Sequence, residues 1–234
     1  MTTTDRLREI SQRALSNFPT LLATYHMARY CIEQNVLGDF VECGVFAGAQ
    51  CAAMACAILD AEDDETGTGT YGSHYWEPNT NPNRKPDENW VHTPRRIHLF
   101  DSFTGVPLFG SEDTEWAQAG HPEGESACSL DQVKQHMREW GIPNELLVYH
   151  EGPFMHTLPI AAEFSTLDRI ALLRIDADLY SSTALVLEHF YPLVSPGGWI
   201  AADDYALASV RKAIDEYMLR KDGPGYGPIY WQKQ

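Results

Sequence analysis

The sequence Arg174-Ile-Asp-Ala-Asp-Leu-Tyr180 ends one apolar run, and Gly197-Gly-Trp-Ile-Ala-Ala-Asp-Asp-Tyr205 ends the next. Each run, at residues 170 to 175 and 199 to 202, is short and flanked by turn residues, and Arg174 is the only charge within them. Such runs are typical of strands that are buried on both faces of a parallel sheet. The two stretches therefore predict neighbouring strands in an α/β fold.

Four aspartates follow the two predicted strands: Asp176, Asp178, Asp203 and Asp204. The carboxyl ends of parallel strands meet at one edge of a sheet, where open α/β sheets bind ligands. Several like charges at one place are unfavourable unless a cation neutralises them. The pattern predicts a divalent metal site at this edge.

The composition is acidic, with 33 Asp and Glu against 17 Lys and Arg and a formal net charge of -16. This charge disfavours nucleic-acid backbones and anionic membranes as partners, because both would be repelled. The length of 234 residues suits one domain with a substantial core.

The five cysteines include no C-x-x-C pair, so we expect reduced and mostly buried thiols. The N-terminal residues are polar, and no apolar run approaches the ~20 residues needed to cross a bilayer. We expect a soluble, cytoplasmic protein.

Hydrophobic periodicity predicts alternating helices and strands along the chain. Ser129 and Gln132 form a capping-box pattern that predicts a helix start. The predicted helices cover residues 5–15, 19–34, 50–59, a segment from 129, 155–164, 182–191 and 209–220. The predicted strands cover residues 38–43, 96–100, 146–149, 170–175, 199–202 and, as an antiparallel edge, 229–232. This alternation specifies a doubly wound, mainly parallel α/β sheet.

Residues 61–94 interrupt the alternation. They are acidic at first and later rich in Gly, Pro and Asn, with scattered Tyr and Trp. Such a stretch is typical of an insertion, and a mobile lid is one interpretation. Its aromatic residues are equally consistent with stacking on a sugar or aglycone and with packing in a subunit interface.

A glycine turn, Glu42-Cys-Gly44-Val-Phe-Ala-Gly48, follows the first strand and opens a helix. In this context Gly44 would let the backbone approach a ligand closely. The turn contains no Lys or Arg, which disfavours a phosphate cradle and favours a nucleoside without phosphate. Asp101 ends the next sheet strand, where a carboxylate can accept hydrogen bonds from both ribose hydroxyls. Glycine turns followed by an acidic strand end also occur in many other α/β proteins.

Four motifs in order resemble the macrocin O-methyltransferase family, which methylates sugar hydroxyls of antibiotics such as tylosin, mycinamicin and novobiocin. They are Gly38-Asp-Phe-Val-Glu-Cys-Gly-Val45, Leu99-Phe-Asp-Ser-Phe-Thr-Gly-Val-Pro107, Leu173-Arg-Ile-Asp-Ala-Asp-Leu-Tyr-Ser-Ser-Thr183 and Leu193-Val-Ser-Pro-Gly-Gly-Trp-Ile-Ala-Ala-Asp-Asp-Tyr205. The resemblance covers roughly residues 18 to 232. It implies the class I methyltransferase fold with a seven-stranded Rossmann-like sheet, S-adenosylmethionine as donor, and Mg²⁺. It also implies a homo-oligomer, with N-terminal helices at residues 1–37 that contribute to assembly and closure and a methyltransferase domain at 38–234.

The resemblance also assigns roles to residues. It implies that Asp176, Asp203 and Asp204 bind the metal and that Asp178 is the general base. The residues it places at the donor are Glu42, Gly44, Gly48, Asp101, Ser102, Gly152, Phe154 and Asp176. Ala177 departs from the family, since a glycine is usual there, and this change is tolerated unless the backbone requires a positive φ.

The chemistry of the residues agrees with these roles. A sugar hydroxyl attacks a sulfonium methyl group poorly unless it is acidified, which a divalent cation and a nearby carboxylate base can do. Three all-oxygen ligands with open positions suit Mg²⁺, and two adjacent hydroxyls of one sugar would complete its coordination.

Other interpretations stay open at this stage. Asp178 could cap the following helix, Asp203 and Asp204 could be a solvated strand end, and Phe154 could belong to the core. The nine histidines show no metal spacing, and His121 and His150 are expected to be structural or exposed. The rival functions are a catechol-type phenolic O-methyltransferase, a metal-dependent glycosyltransferase that uses Asp-x-Asp, and a nucleoside-binding scaffold with a structural ion.

Overall fold

The computed structural model of the protein describes residues 2–14, 16–62, 74–78, 90–163, 167–221 and 230–234. The helices are α1 Thr3–Arg13, α2 Phe18–Glu33, α3 Ala49–Glu62, α4 Thr114–Ala119, α5 Leu130–Glu139, α6 Phe154–Glu163, α7 Tyr180–Phe190 and α8 Ala208–Lys221. The strands are β1 Asp39–Cys43, β2 His74–Pro78, β3 Trp90–Pro94, β4 Ile97–Asp101, β5 Leu147–Glu151, β6 Ile170–Ile175, β7 Val194–Ala202 and β8 Tyr230–Gln232.

The main sheet has the strand order β5-β4-β1-β6-β7-β8. The first five strands are parallel, and β8 is antiparallel to β7, as predicted for the last strand. The doubly wound α/β fold is therefore confirmed. In the described residues this sheet has six strands, whereas seven were expected. The sequence pattern itself contains six strand-like runs, and the seventh strand came only from the family resemblance.

The chain direction across the sheet reverses at β1. From β1 the chain moves outward through β4 to β5, and it then returns to β6 on the other side of β1. The carboxyl ends of β1 and β6 therefore form the topological switch point, where sheets of this type leave a crevice for ligands.

Helices cover both faces of the sheet. One hydrophobic cluster joins α1, α2, α3 and α5 to one face, and a second joins α6, α7 and α8 to the other. All six residues of β6 are buried, which accounts for a sequence that is apolar except for Arg174.

The two N-terminal helices belong to the first of these layers. Thr2 and Asp5 form a capping box at the start of α1, and the Asn17 side chain caps α2. Leu7, Ile10 and Leu21 are buried in the core. Helix α2 packs against β6 and β7, and α1 packs against α2 and α3. Their expected contribution to closure and to oligomer contacts remains a prediction.

The capping box of Ser129 and Gln132 is present and begins α5 as predicted. All five cysteines lie within the described residues, and each is buried, as predicted, and unpaired with another cysteine. Among the described helices, none combines the length and apolar character that crossing a bilayer requires.

The insertion predicted at residues 61–94 is described only in part. Its first two residues end α3, and β2 pairs with β3 in an antiparallel register from His74 opposite Pro94 to Pro78 opposite Trp90. The remaining residues of the insertion, 63–73 and 79–89, lie outside the described ranges, as does the predicted lid.

Candidate active site

A cavity of about 940 Å³ opens at the switch point. Its walls come from the carboxyl ends of β1, β4 and β6, from the segments that follow β4 and β5, and from the α1–α2 connection. Small-molecule sites usually have volumes of about 300–1,000 Å³, so the cavity has room for a large ligand or for two smaller ones.

Gly44 allows the ends of β1 and β6 to lie against each other. Its φ is +89°, and a Cβ atom there would lie 1.7 Å from the Asp176 carbonyl oxygen. The sequence predicted that Gly44 lets the backbone approach a ligand, but the atom that excludes a side chain is protein backbone. Gly48 serves packing, because a Cβ atom there would meet Met137 Cε of α5 at 2.5 Å, and Gly48 does not line the cavity.

Asp101 holds the glycine turn in place. Its Oδ2 accepts hydrogen bonds from the backbone N–H groups of Val45 (2.7 Å) and Phe46 (3.1 Å), and its Oδ1 accepts one from Phe103 (2.7 Å). Phe46 and Phe103 both have positive φ, at 45° and 54°, a conformation that is unusual for a bulky residue. Asp101 thus stabilises a strained turn on the cavity wall, and this is compatible with the predicted contact to a ribose.

The other residues expected at the donor lie near Asp101. Ser102 lines the cavity, and its hydroxyl donates to the Gly105 carbonyl at 3.0 Å. Phe154 begins α6 and lines the cavity. Gly152 does not line it, and its N–H donates to the Asp101 carbonyl at 2.9 Å, which fixes the start of the segment after β5.

The four aspartates of the sequence motifs come together at the ends of β6 and β7. Asp176 N–H donates to the Cys43 carbonyl, and Asp203 N–H donates to the Ile175 carbonyl, both at 2.9 Å. These bonds continue the parallel ladders beyond the strands, so Asp176 and Asp203 lie side by side. Asp204 accepts a hydrogen bond from the backbone N–H of Asp178 at 3.2 Å. Of the four, Asp176, Asp178 and Asp203 line the cavity.

Arg174 lies between these carboxylates and is 2% exposed. Its Nη2 is 3.2 Å from Asp176 Oδ2 and 3.1 Å from Asp203 Oδ2, and its Nε donates to Glu42 Oε1 at 3.1 Å. Glu42 is also buried, and its Oε2 accepts from the Cys51 thiol at 2.8 Å. Glu42 lines the cavity where the donor was predicted, but both of its oxygens already bind protein groups.

The carboxyl groups of Glu42, Asp176 and Asp178 have raised pKa values. Burial raises the pKa of Glu42 to about 7, although Arg174 opposes the shift. Burial, followed by the charges of Asp204 and Asp203, raises the pKa of Asp178 to about 7. Burial also raises the pKa of Asp176 well above its usual range, with Arg174 opposing and Asp203 adding to the effect. Burial and the neighbouring carboxylates therefore both disfavour the charged forms of these groups.

The donor atoms of this cluster fit a hard divalent cation. Carboxylate oxygens in excess of the neighbouring positive charge are the ligands that Mg²⁺ prefers. In this structure Arg174 contacts Asp176 and Asp203 through one oxygen each. Across the described residues, no three carboxylate, imidazole or thiol side chains are already grouped as a metal site.

Asp178 has a backbone conformation that a side chain rarely adopts. Its φ is 59°, and the N–H of Leu179 donates to the Ala177 carbonyl at 2.6 Å across it, so the chain makes a tight turn. The positive φ is at Asp178 and not at Ala177, which explains why alanine is tolerated at 177. The N-cap of α7 is Leu179, without a side-chain capping bond, so Asp178 does not cap this helix.

Sequence analysis missed Asp113, which is 1% exposed. Its Oδ1 accepts from the Tyr180 N–H at the start of α7 (2.7 Å), and its Oδ2 accepts from the Gly110 N–H (3.0 Å). Asp113 thereby ties the loop after β4 to the helix that follows Asp178. A single aspartate in a loop gives no periodic signal, and its partners are remote in the sequence.

His150 and His121 contact other side chains and lie outside the cavity wall. His150 Nε2 is 2.9 Å from His98 Nδ1, and its ring stacks on Phe100 with 3.9 Å between centroids. His98 in turn contacts Asp39. His121 contacts Glu125 at 2.5 Å. Neither His150 nor His121 lines the cavity, as expected.

The wall of the cavity is acidic and partly apolar. Among the described residues that line it there is no Lys, Arg or His. Leu108 and Met155, which are 71% and 62% exposed, present apolar side chains at the cavity. The acidic residues of the wall are Glu42, Asp101, Glu123, Asp176, Asp178 and Asp203.

Several known proteins are similar to this chain in sequence or in fold. The family model for macrocin-O-methyltransferase (TylF) matches residues 88–222. The tetracenomycin-C 4'-O-methyltransferase of Streptomyces olivaceus, which is named for a 2,3-dimethoxy-rhamnosyl substrate, is 32% identical over 82% of this chain. Demethyldecarbamoylnovobiocin O-methyltransferase of Streptomyces niveus is 30% identical over 88% of it. The structure of the O-methyltransferase NovP superposes with a TM-score of 0.71 and 28% identity, over 93% of this chain and 80% of NovP.

The chain is shorter than these relatives. The aligned region spans 64% of the length of the Streptomyces olivaceus protein and 71% of the Streptomyces niveus protein.

Proposed function

The chain belongs to the macrocin-O-methyltransferase family, and we propose that it transfers a methyl group from S-adenosylmethionine to a sugar hydroxyl. The acceptor sugar is attached to a natural product or to a nucleotide. The observation that carries this proposal is the cluster of Asp176, Asp178 and Asp203 on the wall of a cavity at the switch point. Both relatives described above are named as O-methyltransferases of glycosylated or antibiotic compounds, which supports it.

The donor site is proposed at the glycine turn. Gly44 and Asp101 line the cavity together with Ser102 and Phe154. The turn offers backbone groups and a carboxylate but no cationic side chain, which suits the nucleoside and the amino acid end of S-adenosylmethionine better than a phosphate. Gly48 and Gly152 support the turn and the segment after β5 through packing and a backbone hydrogen bond.

We propose that Asp176, Asp203 and Asp204 hold Mg²⁺. The bound cation would acidify a coordinated sugar hydroxyl and favour acceptors with two adjacent hydroxyls. Burial, and after it the repulsion between the carboxylates, raises the pKa values of Asp176 and Asp204, and the charge of the cation would offset both effects.

Asp178 is proposed as the general base. It lines the cavity, and its pKa of about 7 lets it accept a proton near neutral pH. The backbone position of Asp178 is fixed in two ways. Its N–H donates a hydrogen bond to Asp204, and its positive φ forms a tight turn. Asp178 thus takes the hydroxyl proton while the sugar oxygen attacks the methyl group.

The electrostatics of the cavity favour an uncharged acceptor over a nucleotide-sugar. A diphosphate needs cationic or backbone partners, and the lining residues that the structure describes include six acidic and no basic side chains. The apolar side chains of Leu108 and Met155 suit an aglycone. The same absence of basic groups argues against a glycosyltransferase, whose donor carries a diphosphate.

Two measurements test the proposal. Calorimetric titration with S-adenosylhomocysteine tests the donor site, and we expect saturable binding. Methyl transfer from labelled S-adenosylmethionine is then measured on rhamnosides with free vicinal hydroxyls, on the same rhamnosides with one hydroxyl removed, and on catechol. Turnover that requires both sugar hydroxyls supports the proposal, whereas turnover of catechol alone would favour the phenolic alternative. No binding of S-adenosylhomocysteine would contradict the donor site.

A further inference from the structure

A network of hydrogen-bonded, buried polar side chains extends from the N-terminal helices to the carboxylate cluster. Thr24 of α2 is 0% exposed and Gln50 of α3 is 4% exposed. Thr24 Oγ1 donates to Gln50 Oε1 at 2.7 Å and accepts from Arg174 Nη1 at 3.4 Å. These two residues therefore connect α2 and α3 to the one arginine that contacts Asp176 and Asp203.

The guanidinium group of Arg174 is held from several sides. Nε binds Glu42, Nη1 binds Thr24, and Nη2 contacts both Asp176 and Asp203. An arginine on a flexible side chain could approach the two aspartates in many ways. The contacts with Glu42 and Thr24 fix the plane of the guanidinium, and this fixes where Nη2 meets the two carboxylates.

The other end of this hydrogen-bond network reaches the cavity wall. Gln50 Nε2 donates to Ser16 Oγ at 2.5 Å, and Ser16 lies in the connection between α1 and α2. Both Ser16 and Gln50 line the cavity. The hydrogen bonds thus run from the α1–α2 connection through Gln50, Thr24 and Arg174 to Asp176 and Asp203.

We propose that Thr24 and Gln50 are positioning residues, which hold Arg174 so that Asp176 and Asp203 present their carboxylates to a divalent cation. Arg174 uses one oxygen of each aspartate, and a cation would bind the pair in the orientation that Arg174 sets. Groups that orient metal ligands in this way typically contribute 10–100-fold to metal affinity. The inference rests on the proposed metal site and adds a role for the N-terminal helices in it.

The matched control is Thr183, a second buried threonine. It is 0% exposed, and its Oγ1 has no hydrogen-bond partner in the described part of the chain. Thr24→Val and Thr183→Val make the same change of shape and polarity in the core. Only Thr24→Val removes a contact with Arg174.

Binding of Mn²⁺ to the protein alone, followed by electron paramagnetic resonance, tests the inference without an acceptor. Mn²⁺ accepts the same oxygen ligands as Mg²⁺. We expect Thr24→Val and Gln50→Leu each to weaken Mn²⁺ binding by at least about 10-fold. Thr24→Ser should keep Mn²⁺ binding close to that of the wild type, and Thr183→Val should leave it unchanged. The Kd of S-adenosylhomocysteine should stay within about twofold in the Thr24 and Thr183 variants, because neither threonine lines the cavity.

Three outcomes would overturn the inference. Equal Mn²⁺ binding by wild type, Thr24→Val and Gln50→Leu would remove the positioning role while leaving the metal site intact. A loss of Mn²⁺ binding that Thr183→Val shares would assign the effect to the core. Absence of Mn²⁺ binding by the wild type would contradict the proposed metal site itself. Should Thr24→Val not fold, Gln50→Leu and Thr24→Ser decide the question, because Gln50→Leu removes the acceptor of the Thr24 hydroxyl whereas Thr24→Ser keeps both hydrogen bonds of that hydroxyl.

Discussion

Asp178 is the residue on which the proposed chemistry depends most. It lies on the cavity wall, in a left-handed turn, with a pKa raised to about 7. We predict that Asp178→Asn lowers kcat by about 10²–10⁴-fold, because general base catalysis contributes that much. The Kd of S-adenosylhomocysteine should change little, because the amide keeps the shape of the carboxylate. Turnover at the wild-type rate by Asp178→Asn would exclude it as the base.

A second prediction for a single residue concerns the effect of Gly44→Ala on stability. Alanine at 44 would place Cβ 1.7 Å from the Asp176 carbonyl oxygen at a φ of +89°. Gly120 is the control, since its φ is +71° and nothing lies within 4 Å of an added Cβ. We predict that Gly120→Ala costs about 1–2 kcal/mol of unfolding free energy from backbone strain alone. Gly44→Ala should cost at least about 3 kcal/mol because overpacking adds to the strain.

Urea unfolding followed by circular dichroism measures both glycine variants. Equal losses of stability in Gly44→Ala and Gly120→Ala would show that the close approach of β1 to β6 is unimportant. A difference of the expected size would show that Gly44 is required for the position of Asp176.

The sequence predicted which residues meet at this site, but it did not predict their partners. Asp176, Asp178 and Asp203 could be placed together, because strand ends meet at one edge of a parallel sheet. The bonds of Asp101 to the glycine turn and of Glu42 to Cys51 could not be predicted, because they depend on side-chain rotamers. Arg174 was visible as the one charge in an apolar run, and such an interruption signals a buried ion pair.

At the scale of elements, Asp113 connects the loop after β4 with α7. Asp113→Ala would leave the backbone N–H groups of Tyr180 and Gly110 without the carboxylate that accepts their hydrogen bonds. We predict a loss of about 2–4 kcal/mol in unfolding free energy, since hydrogen bonds to a charged group contribute ~1.5–3 kcal/mol each. Glu112→Ala is the neighbouring control, because Glu112 makes only a half-exposed ion pair with Lys212.

The two variants are compared by their urea midpoints. The Glu112 variant should unfold close to the wild type, because exposed ion pairs contribute little. A similar shift in both variants would mean that Asp113 acts only through surface charge and does not hold α7.

Elements with strong local signals were predicted well. The capping box at Ser129 and the periodicity of α2 gave boundaries within a residue or two of those observed. The packing of α2 against the sheet and of α1 against α2 and α3 was not predicted, because hydrophobic periodicity shows which face of a helix is apolar but not what covers it. The β2–β3 pair was also missed, since its sequence lies in a stretch dominated by turn residues.

For the whole molecule, acid should weaken the fold through His150. Burial and the neighbouring His98 lower the pKa of His150 to about 4, from an ordinary value of 6.5. As the pH falls below 6.5, His150 becomes protonated in the unfolded chain, whereas in the folded chain it stays neutral until about pH 4. The stability contributed by neutral His150 is complete above pH 6.5 and is lost as the pH falls toward 4.

This effect is isolated by comparison with His150→Gln. The carboxyl groups with raised pKa values titrate in the same range and with the opposite sign, and they are common to both proteins. We predict that the unfolding free energy of the wild type minus that of His150→Gln decreases between pH 6.5 and 4. A difference that stays constant across this range would contradict the lowered pKa of His150.

The sequence pattern was sufficient for the fold class, because alternating strands and helices permit few arrangements other than a doubly wound sheet. It also contained the six strands of the main sheet, whereas the seventh strand came only from the family resemblance. The pattern was insufficient for the insertion, where the turn composition gave only a general expectation. The oligomeric state implied by the resemblance also remains a prediction. The acidic wall of the cavity follows from the folded arrangement of loops that are distant in the sequence.

The measurement that tests the central claim most directly is methyl transfer by the wild type and by Asp203→Ala, with and without a chelator. The acceptor is a rhamnoside with vicinal hydroxyls, and Mg²⁺ is restored after chelation. We predict that the chelator lowers wild-type turnover by at least about 100-fold, because a bound metal contributes several kcal/mol to transition-state stabilisation. Added Mg²⁺ should restore it, and Asp203→Ala should be inactive in both conditions. Undiminished turnover in the presence of the chelator, or by Asp203→Ala, would contradict a metal-dependent methyl transfer at this carboxylate cluster.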